Sequence, residues 1–153
     1  MQMKDSQTIP ASRKVVWAAL NNPEILKQCI PGCQSLDMTS PTEMSARVVI
    51  KIGPVKTNFG GKVTLSDLDP PKGYRITGEG SGGVAGFAKG GAVIQLEAIG
   101  DNETVLHYEV DSQIGGKLAQ LGSRLIDSTA KMLANEFFSK FVAILTDAQP
   151  ATA

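Results

Sequence analysis

The C-terminal third of the chain constrains the fold most strongly, because one long helical pattern follows a series of strand patterns. Residues 115–145 contain no proline, and apolar residues recur there at intervals of three and four. An amphipathic helix that follows antiparallel strands has to bury its apolar face. We therefore expect this helix to lie across the concave side of a sheet and to cover it.

The segment between the Pro31–Gly32 turn and residue 114 has a period of two, which is typical of strands. From Glu43 to Ile52, for example, Met44 and Ile50 alternate with charged residues, as in a half-buried antiparallel strand. Glycine, proline and polar residues interrupt this segment at five places: 40–42, 53–54, 69–73, 82–86 and 100–102. The pattern predicts six strands.

The N-terminal segment predicts one more strand and two short helices. Residues 2–9 form the strand, Ser12 is a suitable N-cap for a helix over 13–20, and Pro23 opens a second helix that ends at Cys29. The order predicts an α+β helix-grip fold, in which a curved seven-stranded antiparallel sheet wraps around a long C-terminal helix. We expect residues 1–147 to form a single domain and 148–153 to be a frayed tail.

Composition excludes several classes of function. Fifteen basic residues balance fifteen acidic ones, so net charge gives no general attraction to nucleic acid or anionic lipid. The polar start and the absence of any run of about 20 apolar residues predict a cytoplasmic protein. Cys29 and Cys33 are too few for a disulfide framework or a closed zinc site, and we expect reduced thiols.

The inward face of the predicted strands carries many residues with little or no side chain: Ala46, Gly61, Gly78, Gly80, Ala88, Gly90, Ala92 and Ser112. The helical stripe that faces them contains larger groups: Leu118, Leu121, Leu125, Thr129, Met132, Leu133 and Phe137. This mismatch predicts a cavity that an apolar ligand fills. An alternative explanation is that the glycines only allow the sheet to bend.

The predicted ligand site has a lining and an entrance. We expect the lining to consist of Phe59, Gly78, Gly80, Leu121, Leu125 and Met132, and the entrance to lie near Ile30, Pro31 and Phe87. Its polar candidates are few: Thr57, Tyr108, Ser112 and Thr129.

The sequence favours binding over catalysis. His107 lies on the polar face of a strand, and no nucleophile has a base partner. Gly78, Gly80 and Gly83 match a GxGxxG motif, but a strand follows them instead of the helix N-terminus that a dinucleotide site needs. We therefore expect neither a cofactor nor a metal site, and no enzymatic activity.

A second apolar strip runs beside the main one on the long helix: Ala134, Phe138, Val142 and Leu145. If it were exposed, it would be a surface for a protein partner. The alternative, which we favour, is that it packs against the first helix around Trp17.

Five stretches, taken in order, resemble one known family: Val16–Glu24, Cys29–Cys33, Lys51–Lys56, Gly82–Gly91 and Gly115–Ile126. Over nearly the whole chain, the sequence resembles the CoxG family of carbon monoxide dehydrogenase subunits. The resemblance implies a START-like helix-grip fold and an accessory role beside molybdenum hydroxylases of the carbon monoxide dehydrogenase type. It also implies membrane recruitment and carriage of a quinone in the apolar cavity. Many members have a longer C-terminal tail, whereas this sequence stops at Ala153, so we expect at most peripheral contact with the inner face of the membrane.

Three hypotheses follow. The leading one is a non-catalytic carrier of a quinone, an isoprenoid or another lipid, accessory to such a hydroxylase. The second is an assembly factor that docks through the Phe138 and Val142 strip without a ligand, and the third is an enzyme of the cyclase or hydratase kind. A homodimer also remains open.

Overall fold

The computed structural model describes residues 1–148. The elements follow in the order β1 (Gln2–Ile9), α1 (Arg13–Leu20), α2 (Pro23–Cys29), β2 (Cys33–Ser40), β3 (Glu43–Ile52), β4 (Val55–Asp69), β5 (Gly73–Ser81), the 3₁₀ helix η1 (Gly83–Ala85), β6 (Phe87–Gly100), β7 (Glu103–Gly115), the 3₁₀ helix η2 (Gly116–Leu121) and α3 (Ser123–Ala148).

The seven strands form one antiparallel sheet in the order β1-β7-β6-β5-β4-β3-β2. Strands β2 to β7 are joined as consecutive hairpins, and β1 closes the far edge by pairing with β7. The long helix α3 follows the last strand. The arrangement is a START-like helix-grip fold, and it confirms the predicted fold class and strand number.

The predicted alternation along the strands is confirmed. Phe59 and Leu65 of β4 are buried, whereas Lys56 and Lys62 on the other face are exposed. The same pattern holds in β7, where Leu106 is buried. One face of the sheet is therefore exposed to solvent, and the other face packs against the helices.

The N-terminal helices begin where the sequence predicts. The Val15 N–H donates to the Ser12 hydroxyl over 3.3 Å, which caps α1. The Glu24 N–H donates to the Asn22 side chain over 3.0 Å, and Pro23 is the first residue of α2.

The start of the long helix differs from the prediction. A helix from Gly115 was expected, but residues 116–121 form the separate turn η2 and α3 begins only at Ser123. Gly116 and Gly122 cause the break, because their φ angles of 76° and 93° lie in the left-handed region, which interrupts a helix. Leu118 and Leu121 therefore do not belong to the α3 stripe. The helix continues to Ala148, and the rest of the expected frayed tail, 149–153, lies outside the described residues.

The main core lies where α1, α2 and the C-terminal half of α3 meet the sheet. Phe141, Ile9, Leu106 and Val16 are fully buried there. The Thr104 hydroxyl is also buried, and it donates to the Ala11 carbonyl over 2.8 Å, so its polarity is satisfied.

The second apolar strip is part of this core. Phe138 and Leu145 are buried, and the Phe138 ring stacks on Tyr108 of β7 with centroids 5.3 Å apart. Val142 is half-buried against the same cluster. The interpretation as an exposed partner surface is therefore wrong. The strip is buried, as the alternative predicted, but the ring that stacks on Phe138 is Tyr108 of the sheet, whereas Trp17 of the first helix lies against Tyr74.

None of the helices within residues 1–148 combines the length and the apolar character that a bilayer-spanning helix needs.

Candidate functional site

The strand register gathers the small residues into one patch on the concave face, toward the end of the sheet where β5 and β7 finish. One row across the sheet pairs Ala46 with Gly61, Gly61 with Gly80, and Gly80 with Ala88. The adjacent row pairs Gly78 with Gly90, and Gly90 with Ser112. Directly opposite residues share a face, so these two rows, which we call the small-residue patch, form a continuous surface.

Two glycines of the patch are required by backbone contacts. A Cβ on Gly61 would lie 2.7 Å from the Glu79 carbonyl oxygen. A Cβ on Gly90 would overlap the Asp111 carbonyl and lie 2.6 Å from the Cα of Ser112. At these positions the strands approach too closely for a side chain, which supports the sheet-bending explanation.

Gly78 and Gly80 differ from these. A Cβ on Gly78 would be 3.4 Å from the nearest atom, the Lys62 oxygen, and one on Gly80 would be 3.5 Å from the Gly60 oxygen. These are ordinary van der Waals distances, so close backbone approach does not require glycine here. A methyl group would therefore fit at either position, on the side of the sheet that faces α3. We call the region between the patch and α3 the space.

Apolar side chains surround the patch. Phe59 is buried, and its ring lies 3.7 Å from the position of a Cβ on Gly80. Other side chains on the concave face are only half-buried: Val48, Ile50, Val63, Ile76, Val110 and Ile114. Because these residues face the interior, their partial exposure indicates loose packing between this part of the sheet and α3.

The helical side of the space comes from η2 and the N-terminal half of α3. Leu121 and Leu125 are half-buried, whereas Leu118 and Thr129 are buried. The Leu125 side chain lies 3.0 Å from the position of a Cβ on Gly53, so α3 contacts the β3–β4 turn.

Two short turns close one end of this space. Gly86 lies so close to Gly115 and Gly116 that a side chain there would overlap the backbone, and this contact joins the η1 loop to η2. The Thr57 hydroxyl donates to the Gly82 carbonyl over 3.3 Å, which ties the same loop to β4. The glycine-rich stretch 82–86 is the sequence signal for this loop. It predicts a turn, but it does not predict the contact between that turn and η2.

Ile30 and Pro31, the predicted entrance residues, are half-buried in the connection between α2 and β2. The Val49 N–H donates to the Gly32 carbonyl over 2.9 Å, so this connection lies beside β3.

The structure does not bring Phe87 and Met132 to the space, which corrects the predicted set. Phe87 precedes Ala88 and therefore points to the opposite face of the sheet, where its ring covers Gly115. Met132 is 49 % exposed on the outer face of α3, because the inward face at this level is formed by half-buried Ala130 and Leu133.

Two large grooves lie outside the space. One, of about 780 Å³, follows the outer face of α3 past Met132, and another, of about 790 Å³, lies on the convex face of the sheet beside Arg75 and Glu109.

The polar candidates do not form one cluster. Tyr108 is stacked in the core against Phe138. Burial is the main cause that raises the pKa of its hydroxyl, and the nearby Asp5 carboxylate raises it further. A hydrogen bond from the Gln7 side chain has the opposite, smaller effect. Ser112 has a buried hydroxyl oxygen for which residues 1–148 provide no hydrogen-bond partner. Thr57 is held at the η1 loop.

Other titratable groups lie away from the patch. His107 contacts Glu97 over 3.1 Å on the exposed face of the sheet. Cys29 and Cys33 are free thiols whose pKa values are raised, chiefly by burial. Within the described part of the chain, no group of three His, Cys, Asp or Glu residues is placed to hold a metal ion.

Solved structures show the same architecture. A conserved protein from Geobacillus kaustophilus is 32 % identical, with 97 % of each chain covered and a TM-score of 0.91. A START superfamily protein from Mycobacterium smegmatis is 11 % identical over 97 % of this chain and 99 % of its own, with a TM-score of 0.75. The Zhui aromatase/cyclase from Streptomyces sp. R1128 is 10 % identical over 100 % of this chain and 98 % of its own, with a TM-score of 0.69. The last two likenesses concern the fold alone.

Among curated protein sequences, none matches this chain significantly. The model of the CoxG family of carbon monoxide dehydrogenase subunits matches residues 6–145. That match spans most of the sheet, both short helices and nearly all of α3, and the chain therefore belongs to the CoxG family.

Proposed function

We propose that this protein binds an apolar ligand, such as a quinone, an isoprenoid or another lipid, between the small-residue patch and α3. In this proposal it has no catalytic role and serves a carbon monoxide dehydrogenase-type molybdenum hydroxylase in the cytoplasm. The CoxG family supports the accessory role, and the START-like fold supports a hydrophobic ligand.

The observation that carries the proposal is the contrast between glycines within the patch. Gly78 and Gly80 lack side chains although ordinary contact distances would permit a methyl group. Half-buried apolar residues surround these two glycines on the same face of the sheet. Burial of a ligand tail against them would gain about 25 cal/mol per Å² of apolar area, without any charged anchor.

In this proposal a long ligand widens the space as it binds. The two grooves described above lie on outer surfaces, and a ligand beneath α3 would displace the helix or the β3–β4 turn that touches it at Leu125. Half-buried packing at this end makes such a movement less costly than in the fully buried core.

The first test exchanges the side chain that separates α3 from the β3–β4 turn. Leu125→Arg places a charge between these elements and is expected to weaken menaquinone binding by more than about tenfold, because an unpaired charge is costly in an apolar site. Fluorescence quenching of Trp17 on titration with menaquinone, checked by native mass spectrometry, measures the affinity.

The matched control is Met132→Arg on the outer face of the same helix, which is expected to retain full binding. Circular dichroism verifies that both variants keep their helices. Equal binding by the wild type and Leu125→Arg would contradict the proposed site.

No observation favours the two alternatives. The strip proposed for docking includes buried Phe138, and the polar residues that a cyclase-like site would use are dispersed.

A further inference from the structure

One polar atom on the concave face of the sheet lacks a hydrogen-bond partner. Ser112 of β7 lies directly opposite Gly90 of β6, in the row of the small-residue patch that continues to Gly78. Its hydroxyl oxygen is buried, and none of the described residues offers it a hydrogen bond. A buried hydroxyl without a partner is costly and uncommon in a folded protein, so this one requires an explanation.

The backbone of Ser112, in contrast, is held by two hydrogen bonds to the start of the chain. Its N–H donates to the Met1 carbonyl over 2.9 Å, and its carbonyl accepts from the Met1 ammonium group over 2.7 Å. These bonds fix the position of the serine in its strand. A partner for the hydroxyl therefore has to come to it.

The side chains next to this hydroxyl on the concave face are apolar. Along β7 they are Val110 and Ile114, which are both half-buried. Across the strand boundary, Gly90 has no side chain, and the residues that flank it on this face are Ala88 and Ala92. Since these groups neither donate nor accept, the missing partner is a water molecule or a polar atom of a ligand.

Charged side chains are absent from the patch itself. Glu79, Lys89 and Asp111 each adjoin a patch residue in sequence and therefore point to the opposite face, where all three are exposed. A charged ligand group beside Ser112 would have no counter-ion and would be costly to bury. A neutral oxygen needs only the hydrogen bond that the hydroxyl can supply.

We propose that Ser112 determines the ligand specificity of the proposed site, through a hydrogen bond between its hydroxyl and a neutral hydroxyl or carbonyl oxygen at one end of the ligand. The apolar remainder of the ligand lies over Gly90 and Gly78, the positions without side chains in the same row. Pure hydrocarbons and ionised lipids are then disfavoured. This inference rests on the proposed function, because it assigns the polar contact of the same site.

The test compares three compounds with one carbon skeleton: phytanol, phytane and phytanic acid, which carry a hydroxyl group, no oxygen and a carboxylate. Each is delivered from cyclodextrin to the delipidated protein at pH 8, and native mass spectrometry measures the affinity. The wild type is expected to bind phytanol about tenfold more tightly than either of the other two, because only phytanol pairs with Ser112 without bringing a charge.

Variants of two serines test whether the hydroxyl causes this preference. Ser112→Ala is expected to bind phytanol and phytane equally, whereas Ser112→Thr, which keeps the hydroxyl, should retain the preference. Ser139→Ala makes the same change at an exposed serine on the outer face of α3 and should leave all three affinities unchanged.

A stability measurement separates a ligand contact from a structural one. The empty Ser112→Ala protein should be at least as stable to urea as the empty wild type, because the variant removes a hydroxyl that has no partner. A clear loss of stability would show that the hydroxyl bonds within the protein, and it would contradict the proposal.

The binding results distinguish this inference from the function on which it rests. If phytanol and phytane bind the wild type equally, or if Ser112→Ala keeps the preference for phytanol, Ser112 does not select the ligand, although the apolar site stands. A phytanic acid affinity equal to that of phytanol would also overturn the selection of a neutral oxygen. If the wild type binds neither these compounds nor menaquinone, the proposed function and this inference are both wrong.

Discussion

At the scale of single residues, the glycines of the small-residue patch fall into two groups with different contacts. Gly90 and Gly61 permit close approach of neighbouring strands, whereas a Cβ on Gly78 or Gly80 would meet its neighbours at ordinary contact distances. The amino acid is the same at all four positions. Only the distances to nearby backbone atoms distinguish a glycine that a close strand contact requires from one that no such contact requires.

Gly90→Ala tests the structural role. The added Cβ overlaps the Asp111 carbonyl, so we expect a loss of about 2–4 kcal/mol in the free energy of unfolding, measured by urea denaturation. Gly60→Ala is the control, because a Cβ there meets nothing within 4 Å. Similar unfolding free energies for the two variants would show that the close contact at Gly90 is unimportant.

The buried hydroxyl of Tyr74 makes the stability of the fold depend on pH. Its ring is buried edge-on against Trp17 at 5.3 Å, and burial raises the pKa of its hydroxyl well above the ordinary value. The folded state therefore holds this proton more tightly than the unfolded chain does. The resulting stability is fully present below the unfolded pKa of about 10 and is lost as pH rises above it.

We expect the free energy of unfolding to fall as the pH rises above about 10, in urea titrations at several pH values. Tyr74→Phe should make this fall shallower, although Tyr108, whose pKa is also raised, keeps part of it. An identical pH dependence in wild type and Tyr74→Phe would contradict the assignment.

At the scale of elements, α3 has two unlike halves. Its C-terminal half packs Phe138, Phe141 and Leu145 into the core, whereas its N-terminal half holds half-buried Leu125 and Leu133 over the patch. The glycine break at Gly122 separates η2 from this helix. The first part of the predicted helix is therefore η2, which packs on the η1 loop beside the proposed site.

Phe141→Ala tests this division. Removal of a fully buried ring should cost about 3–5 kcal/mol of unfolding free energy, because it leaves a cavity in the main core. Met132→Ala, on the exposed face of the same helix, should change it by less than about 0.5 kcal/mol. Thermal and urea denaturation measure both, and a large loss at Met132 would contradict its outward placement.

At the scale of the whole molecule, packing divides the protein along the strand direction. The end with α1 and the β2–β3, β4–β5 and β6–β7 turns holds the main core, with fully buried Ile9 and Val16. The small-residue patch and the η1 and η2 turns lie toward the other end. Stability therefore resides mainly at one end, and the proposed ligand lies toward the other.

Much of the fold could be predicted from the sequence because its signals are local. The period of two in β3 and β4, the cap at Ser12, Pro23 at a helix start and the five turn segments each depend on neighbouring residues. The candidate site was predictable only in part. Alternation placed Phe59, Gly78 and Gly80 on the concave face, and the same alternation puts Phe87, the neighbour of inward Ala88, on the opposite face, so the entrance prediction was wrong there. The outward position of Met132 depends on the packing of α3 and could not be predicted from strand alternation.

The sequence by itself determined the order of elements and the face on which most strand residues lie, since both follow from backbone period and turn chemistry. Tertiary structure decided which glycines touch a neighbouring strand, because that depends on register and twist between segments far apart in the chain. It also placed Met132 outside, buried Phe138 against Tyr108, and set Ser112 opposite Gly90. Residues distant in sequence meet only when hairpins bring their strands side by side.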